Sequence, residues 1–253
     1  MRGLLDTPFM IFLISFLTLV VFSQLGSRVI GRHVDHGQEA REDFDIVLAA
    51  SLTLLGLIIG FAFSMSVSRY EQRKNYEEEE ANAIGTEWAR AGLLAAPESA
   101  KVRALLRSYL DERILFYDSR DAAQLPQIDA RTNELQTQLW SAVESAAADR
   151  QTPIVALAVS GMNDVLNSQS YTQASWWNRI PPAAWVLMGT IATLCNLMIG
   201  VRASQLKSRQ GLLLILPLIL SVAFLLIADI DSPRGGYIHV RPQNLLALSA
   251  SMR

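Results

Sequence analysis

The residue types and spacings that could do chemistry fall on one stretch, Asp45–Glu87. Gly56, Gly60, Ser64 and Ser68 stand at every fourth position there. Thr53, Leu57, Phe61 and Met65 form a second row beside them. Steps of four keep each row on one side of a helix, turning by about 40° per step. Small residues at this spacing let two helix backbones approach closely where no hydrophobic force draws helices together. The bulky row is then directed to a nearby surface. Around an axis of symmetry, Leu and Phe would make a narrow apolar constriction of the kind that gates by dewetting. Such rows also face lipid or a bundle interior, and spacing alone leaves both readings open.

Charges follow the two rows. Arg69, Arg73 and Lys74 precede the acidic block Glu77–Glu80. In an oligomer a position such as Arg69, Glu77 or Glu80 would become a ring of like charge flanking a path, basic for anions or acidic for cations. The competing reading is a solvated helix with Arg73–Glu77 and Lys74–Glu78 pairs at i,i+4.

Other chemistry is poorly supplied. There is no nucleophile motif, phosphate loop or metal-ligand helix, so neither an enzyme nor a cofactor is expected. Gly161–Asp164 lies on an amphipathic pattern. Asp229 and Asp231, two apart, make a poor catalytic pair, and surface solvation and turn formation account for them. His33 and His36 flank Asp35, but no further ligands support a metal, and a solvated loop is the expectation. The one cysteine, Cys195, excludes an intrachain disulfide and sits in an apolar run as a small apolar side chain. A net charge of −2 gives no electrostatic case for nucleic acid.

The elements that must position these residues are mostly apolar helices. Phe9–Phe22, Ile46–Val67, Ala183–Val201 and Leu212–Ala228 carry no charge. A crossing takes roughly 20 apolar residues, so four spans are expected. The first could be a signal peptide, but Phe22–Gly26 offers no Ala-x-Ala-like site, which favours a retained helix. Pro217 predicts a kink in the fourth. Trp176 and Trp177 are expected at headgroup level beside Arg179, and Asn196 against another helix.

Between the second and third spans, Arg69–Arg179 holds 12 basic and 16 acidic residues. Apolar residues recur there at three and four, with breaks at Ala96-Pro97, Tyr117–Pro126 and Thr152-Pro153. That pattern predicts four soluble helices, the first continuous with the second span. After Asp231, Pro233 and Gly235-Gly236 end the helix and leave a short tail. Four spans put both termini and residues 69–180 on one side. Basic residues near helix ends number seven on that side (Arg2, Arg69, Arg73, Lys74, Arg179, Arg234, Arg241). The other side has six (Arg28, Arg32, Arg41, Arg202, Lys207, Arg209). The bias and the large soluble section favour the cytoplasm for the first side.

Leu55–Tyr70 resembles the second membrane helix of bestrophins, in which a Gly-Phe pair (Gly60-Phe61) precedes an Arg-aromatic pair (Arg69-Tyr70). Arg179–Pro182 resembles the Ile-Pro opening of their third span. Asp231–Gly235 resembles the acidic-x-Pro-Phe-Gly turn after the fourth, with Arg234 in place of the aromatic residue. Glu79–Gly85 is more similar to a bacterial family described as bestrophin-like. The likeness covers the layout of most of residues 44–245, and the detail only at these motifs. It implies a homopentameric ion channel with the second helix lining the pore and a neck at Thr53, Leu57 and Phe61. Thr53 departs from an all-apolar neck. Beyond Asp231 there is no acidic residue, so the calcium-binding cluster of animal bestrophins is missing.

The expectation is therefore an all-α membrane protein of four transmembrane helices with a helical cytoplasmic bundle between helices 2 and 3. Its parts are residues 1–68, 69–180, 181–231 and a tail, 232–253. Its partners are the lipid bilayer of a bacterial inner membrane, further copies of itself and inorganic ions. The alternative is a non-conducting, membrane-anchored scaffold or regulatory protein built on the same spans.

Overall fold

The structure is a computed structural model that describes residues 7–30, 38–205 and 210–252. His33, Asp35 and His36, with Arg2, Arg32, Lys207 and Arg209 of the charge comparison, lie outside the described residues. The described residues form helices and no strand. In chain order these are α1 (Pro8–Leu25), a π-helical turn (Gly26–Ile30), α2 (Gln38–Ala91), α3 (Ala96–Asp118), α4 (Leu125–Asp149) and α5 (Pro153–Trp177). There follow α6 (Pro182–Gln205), a 3-10 turn (Gln210–Leu214), α7 (Ile215–Asp231) and α8 (Gln243–Ser251). Four of the breaks carry proline at the next helix's first or second position, where its missing N–H costs little.

The chain forms two compact units. One comprises residues up to Arg69 with Arg179–His239, the other Tyr70–Asn178 with the residues from Val240. In the first, α1 packs on α6 and α7. Its core holds Leu19, Leu55, Met188, Cys195 and Phe224. The end of α1 meets α6 through a glycine on each side. A Cβ on Gly26 would overlap the Leu197 carbonyl, and one on Gly200 the Ser23 carbonyl. Asn196 is buried and its side-chain amide donates to the Ala192 carbonyl at 2.8 Å, within its own helix.

Three described helical stretches are long and apolar enough to cross a membrane: Pro8–Arg28, Arg41–Ala91 and Pro153–Ser204. Residues 178–181 interrupt the last of these. The fourth expected span is α7, whose 17 residues stand at the lower end of the range of roughly 17–25. Pro217 lies near the start of α7, not in its interior. The residues before Ile215 form a 3-10 turn, so Pro217 falls in the first α-helical turn, where no i→i−4 bond is lost.

In the second unit α3 packs on α4, α4 on α5, and α8 on α3. Leu106, Leu110, Leu139, Met162 and Val165 are among its buried residues. Two expectations are corrected here. Trp176 is not an interfacial ring. It is buried, 4.9 Å from the Phe116 ring and 5.5 Å from that of Tyr117, while Trp177 is 74% exposed. The tail is not a plain tail, because α8 follows Pro242 and packs its Leu245 into this core.

Candidate functional site

The part of α2 up to Ser68, called its outer half, has two unlike faces. Leu48, Leu55, Ala62 and Ser66 are buried. Thr53, Gly56, Leu57, Gly60, Phe61, Ser64, Met65 and Ser68 are all exposed on the single chain. Leu57 is 54% exposed and Phe61 63%. A Cβ on Gly56 or Gly60 would meet nothing within 4 Å. Among the described residues the small row therefore packs against no other helix of the chain. The Thr53 hydroxyl donates to the Ala49 carbonyl at 2.9 Å, which satisfies its donor within the helix and makes the position less polar than its type suggests.

At the end of this segment three stretches meet on one carboxylate. Pro181 and Pro182 prevent α5 from running on into α6, and this break leaves the Ile180 N–H without a helical acceptor. Asp231, the last residue of α7, accepts it at 3.1 and 3.2 Å. Arg69 reaches the same carboxylate at 3.5 Å. An acidic residue at a helix C-terminus opposes the macrodipole, and these two donors offset that. Asp229 is equally committed, accepting the Tyr237 and Ile238 N–H groups at 2.8 Å each. Both aspartates are buried. Turn formation is thus correct for them, and surface solvation is not.

The charged half of α2 turns its charges inward. Arg73, Glu77, Glu80 and Glu87 are each 0–1% exposed, on the same stripe as Ile84 and Ala91. Arg73 donates to the carbonyls of Ser175 and Asn178 at the end of α5, at 3.4 and 3.3 Å. Glu77 caps α8, accepting the N–H groups of Asn244 and Leu245 at 2.9 and 3.0 Å and the Asn244 side chain at 2.6 Å. Arg107 donates to the Ser249 carbonyl near the other end of that helix at 2.7 Å. Each charge has the sign the α8 dipole favours.

Glu80 forms a buried ion pair with Arg113 and accepts from the Tyr117 and Thr172 hydroxyls at 3.1 Å each. Arg113 also lies 4.3 Å from the Phe116 ring centroid. Burial alone would lower the Arg113 pKa, but the Glu80 carboxylate outweighs it and the pKa is raised. Burial, with Glu80 nearby, pushes the Tyr117 phenol well above its ordinary range, so it stays a donor. The i,i+4 pairing expected of Arg73 and Glu77 is replaced by these longer-range partners. Arg69, Glu77 and Glu80, read from sequence as charges flanking a path, all face protein groups in this chain. Among the described residues no group of three metal-binding side chains occurs.

The sequence matches the Bestrophin-like domain over residues 13–245. The chain belongs to the bestrophin-like family. Its fold is that of a bacterial bestrophin homolog from Klebsiella pneumoniae. The crystal structure of that protein superposes with a TM-score of 0.63 at 14% identity, over 96% of this chain and 94% of that one. Two point variants of the homolog give TM-scores of 0.64 and 0.65 at the same identity, over 94% and 95% of this chain and 95% and 93% of theirs. No curated protein matches the chain by sequence.

In this bestrophin-like chain the motifs that carried the resemblance prove to be structural joints. Arg69, Ile180 and Asp231 come from three of them and meet at one carboxylate. In the fourth, Glu79–Gly85, Ala81 and Ile84 enter the core and Glu80 takes the ion pair. A Cβ on Gly85 would lie 3.0 Å from a Leu248 methyl group on α8. Sequence reasoning missed Glu77 as a helix cap. The signal for α8 was present, in Pro242 followed by Leu245 and Leu248 at i,i+3.

Proposed function

We propose that the protein is the subunit of an oligomeric ion channel, with α2 of each copy facing a common axis. Four helices span a bacterial inner membrane: α1, the outer half of α2, α6 and α7. Both termini and residues 69–180 lie in the cytoplasm. Leu57 and Phe61 form the narrow apolar constriction, with Thr53 one turn beyond Leu57. Gly56, Gly60, Ser64 and Ser68 pack against the neighbouring subunit, and the assembly is a homopentamer, as the family resemblance implies.

One observation carries this reading. A helix whose opposite face is buried leaves Thr53, Leu57, Phe61 and the small row all uncovered. Lipid would cover a bulky row equally well, but it gives no reason for a ribbon of glycine and serine beside it. The flanking charge shifts in register from Glu77 and Glu80 to Glu79. Eighteen residues, about five helical turns, separate Phe61 from Glu79, so both lie on one side of α2. Glu79 is exposed, as are Gln72 and Asn75 between them.

Purified protein in planar bilayers is expected to pass current. Leu57→Ala and Phe61→Ala are expected to raise conductance by widening an apolar ring. Glu79→Gln is expected to shift the reversal potential under a salt gradient. Silence from an oligomer seen by electron microscopy down the membrane normal would overturn the channel reading. A view with no central path would do the same.

A further inference from the structure

Glu87 is the acid on the inward stripe of α2 whose carboxyl group has no hydrogen-bond partner among the described residues. It is fully buried. Arg73, Glu77 and Glu80, on the same stripe, all have protein partners. Opposite it lies Gly161 of α5, where a Cβ would overlap Glu87 Oε2 and meet the Arg90 guanidinium. Only glycine leaves room for the carboxyl group. An ionised carboxylate in such a place, without hydrogen bonds, is strongly disfavoured against its neutral form.

The charged groups around it are few. Arg90, on its own helix, forms a loose ion pair at 3.9 Å with Asp164 of α5. From α3, Arg103 is engaged one residue along, donating to the Trp88 carbonyl at 3.2 Å and lying over the Trp88 ring at 5.2 Å. Arg90 is thus shared with an acid, and among the described residues no base is dedicated to Glu87.

We propose that Glu87, seated against Gly161, is a proton-binding site that couples the packing of α2 on α5 to pH near neutrality. Burial raises its pKa, Arg90 pulls it down and Asp164 pushes it up, leaving it at about 8. Below that value the carboxyl is neutral and fits the glycine gap. Above it the carboxylate must seek Arg90 or water, and the helix pair loosens. No oxidant, metal or ligand other than the proton is involved.

The test uses the full-length protein in detergent or lipid and does not depend on conduction. The difference infrared spectrum of wild type against Glu87→Gln, at about pH 6, is expected to show a protonated-carboxyl C=O stretch. By about pH 9 it should be replaced by carboxylate bands. Asp164→Asn, at an exposed position, should move the midpoint of that change down, and Arg90→Gln should move it up. Thermal stability gives an independent readout. The unfolded carboxyl titrates near 4.5 and the folded one near 8. Glu87 therefore contributes a loss of stability as pH rises between those values, which stops above about 8 and is read as the difference between wild type and Glu87→Gln. Glu87→Gln should remove that contribution and flatten the profile relative to wild type. A carboxylate at Glu87 already present at about pH 6, or equal slopes in the two proteins, would overturn the proposal.

Discussion

The two halves of α2 put their distinctive residues on opposite sides. In the outer half, the patterned residues Gly56, Leu57, Gly60 and Phe61 are exposed on the chain, and plain apolar residues such as Leu55 and Ala62 are buried. In the inner half, the charges Arg73, Glu77, Glu80 and Glu87 face in, while Gln72, Asn75 and Glu79 remain outside. One helix thus carries a bare face for other molecules and, further along, a polar seam that organises α3, α5 and α8. The difference follows from what each environment offers. In lipid, close backbone approach is the available means of association. In the bundle, long-range ion pairs and caps can specify which helix goes where.

The comparison is most easily broken at the buried pair. Glu80→Ala leaves Arg113 as an uncompensated buried charge, and Arg113→Ala does the same to Glu80. Each is expected to cost about 3–5 kcal/mol, read as a large drop in the thermal midpoint or loss of folded protein. The double replacement Glu80→Gln with Arg113→Met should cost less than the two single changes added together. If the single changes were harmless, the polar seam would not be the organiser of the second unit.

Next in size is Glu77→Ala. It removes three hydrogen bonds to Asn244 and Leu245 and the charge at the start of α8, for an expected cost of about 1–3 kcal/mol. The effect should be local, as faster amide exchange and proteolysis within Gln243–Ser251 while α3–α5 stay protected. Conductance should change little, which separates this capping role from a pore-flanking one.

These two sites also show what the sequence could and could not reveal. Helix breaks were readable because proline and apolar period act locally: Ala96, Pro153 and Pro182 all begin helices. The inward stripe was not readable. Hydropathy assigns Glu77 and Glu80 to solvent, and their partners lie 167 and 33 residues away. Trp176 departs from its expected place for a related reason. Its position beside Arg179 and an apolar run suits an interface, but Phe116 and Tyr117, far off in the chain, take it into the core. The two rows of the outer half were readable as rows, and the structure adds which side of the helix they occupy.

The smallest expected effect is the most discriminating. Leu55 and Leu57 are the same residue type, two positions apart on the same helix, at 1% and 54% exposure. Leu55→Ala opens a cavity between α2 and its neighbours and should lower the thermal midpoint, by an amount set mainly by that cavity because lipid and protein interior are alike to a leucine. Leu57→Ala opens no cavity in the subunit, so its intrinsic stability should stay within about 0.5 kcal/mol of wild type. In the channel assembly Leu57→Ala should nevertheless alter the current, while Leu55→Ala should alter current only to the extent that it lowers the amount of folded protein. If both changes affected stability and neither affected current, the outer face of α2 would be a lipid-facing or packing surface and the scaffold reading would replace the channel.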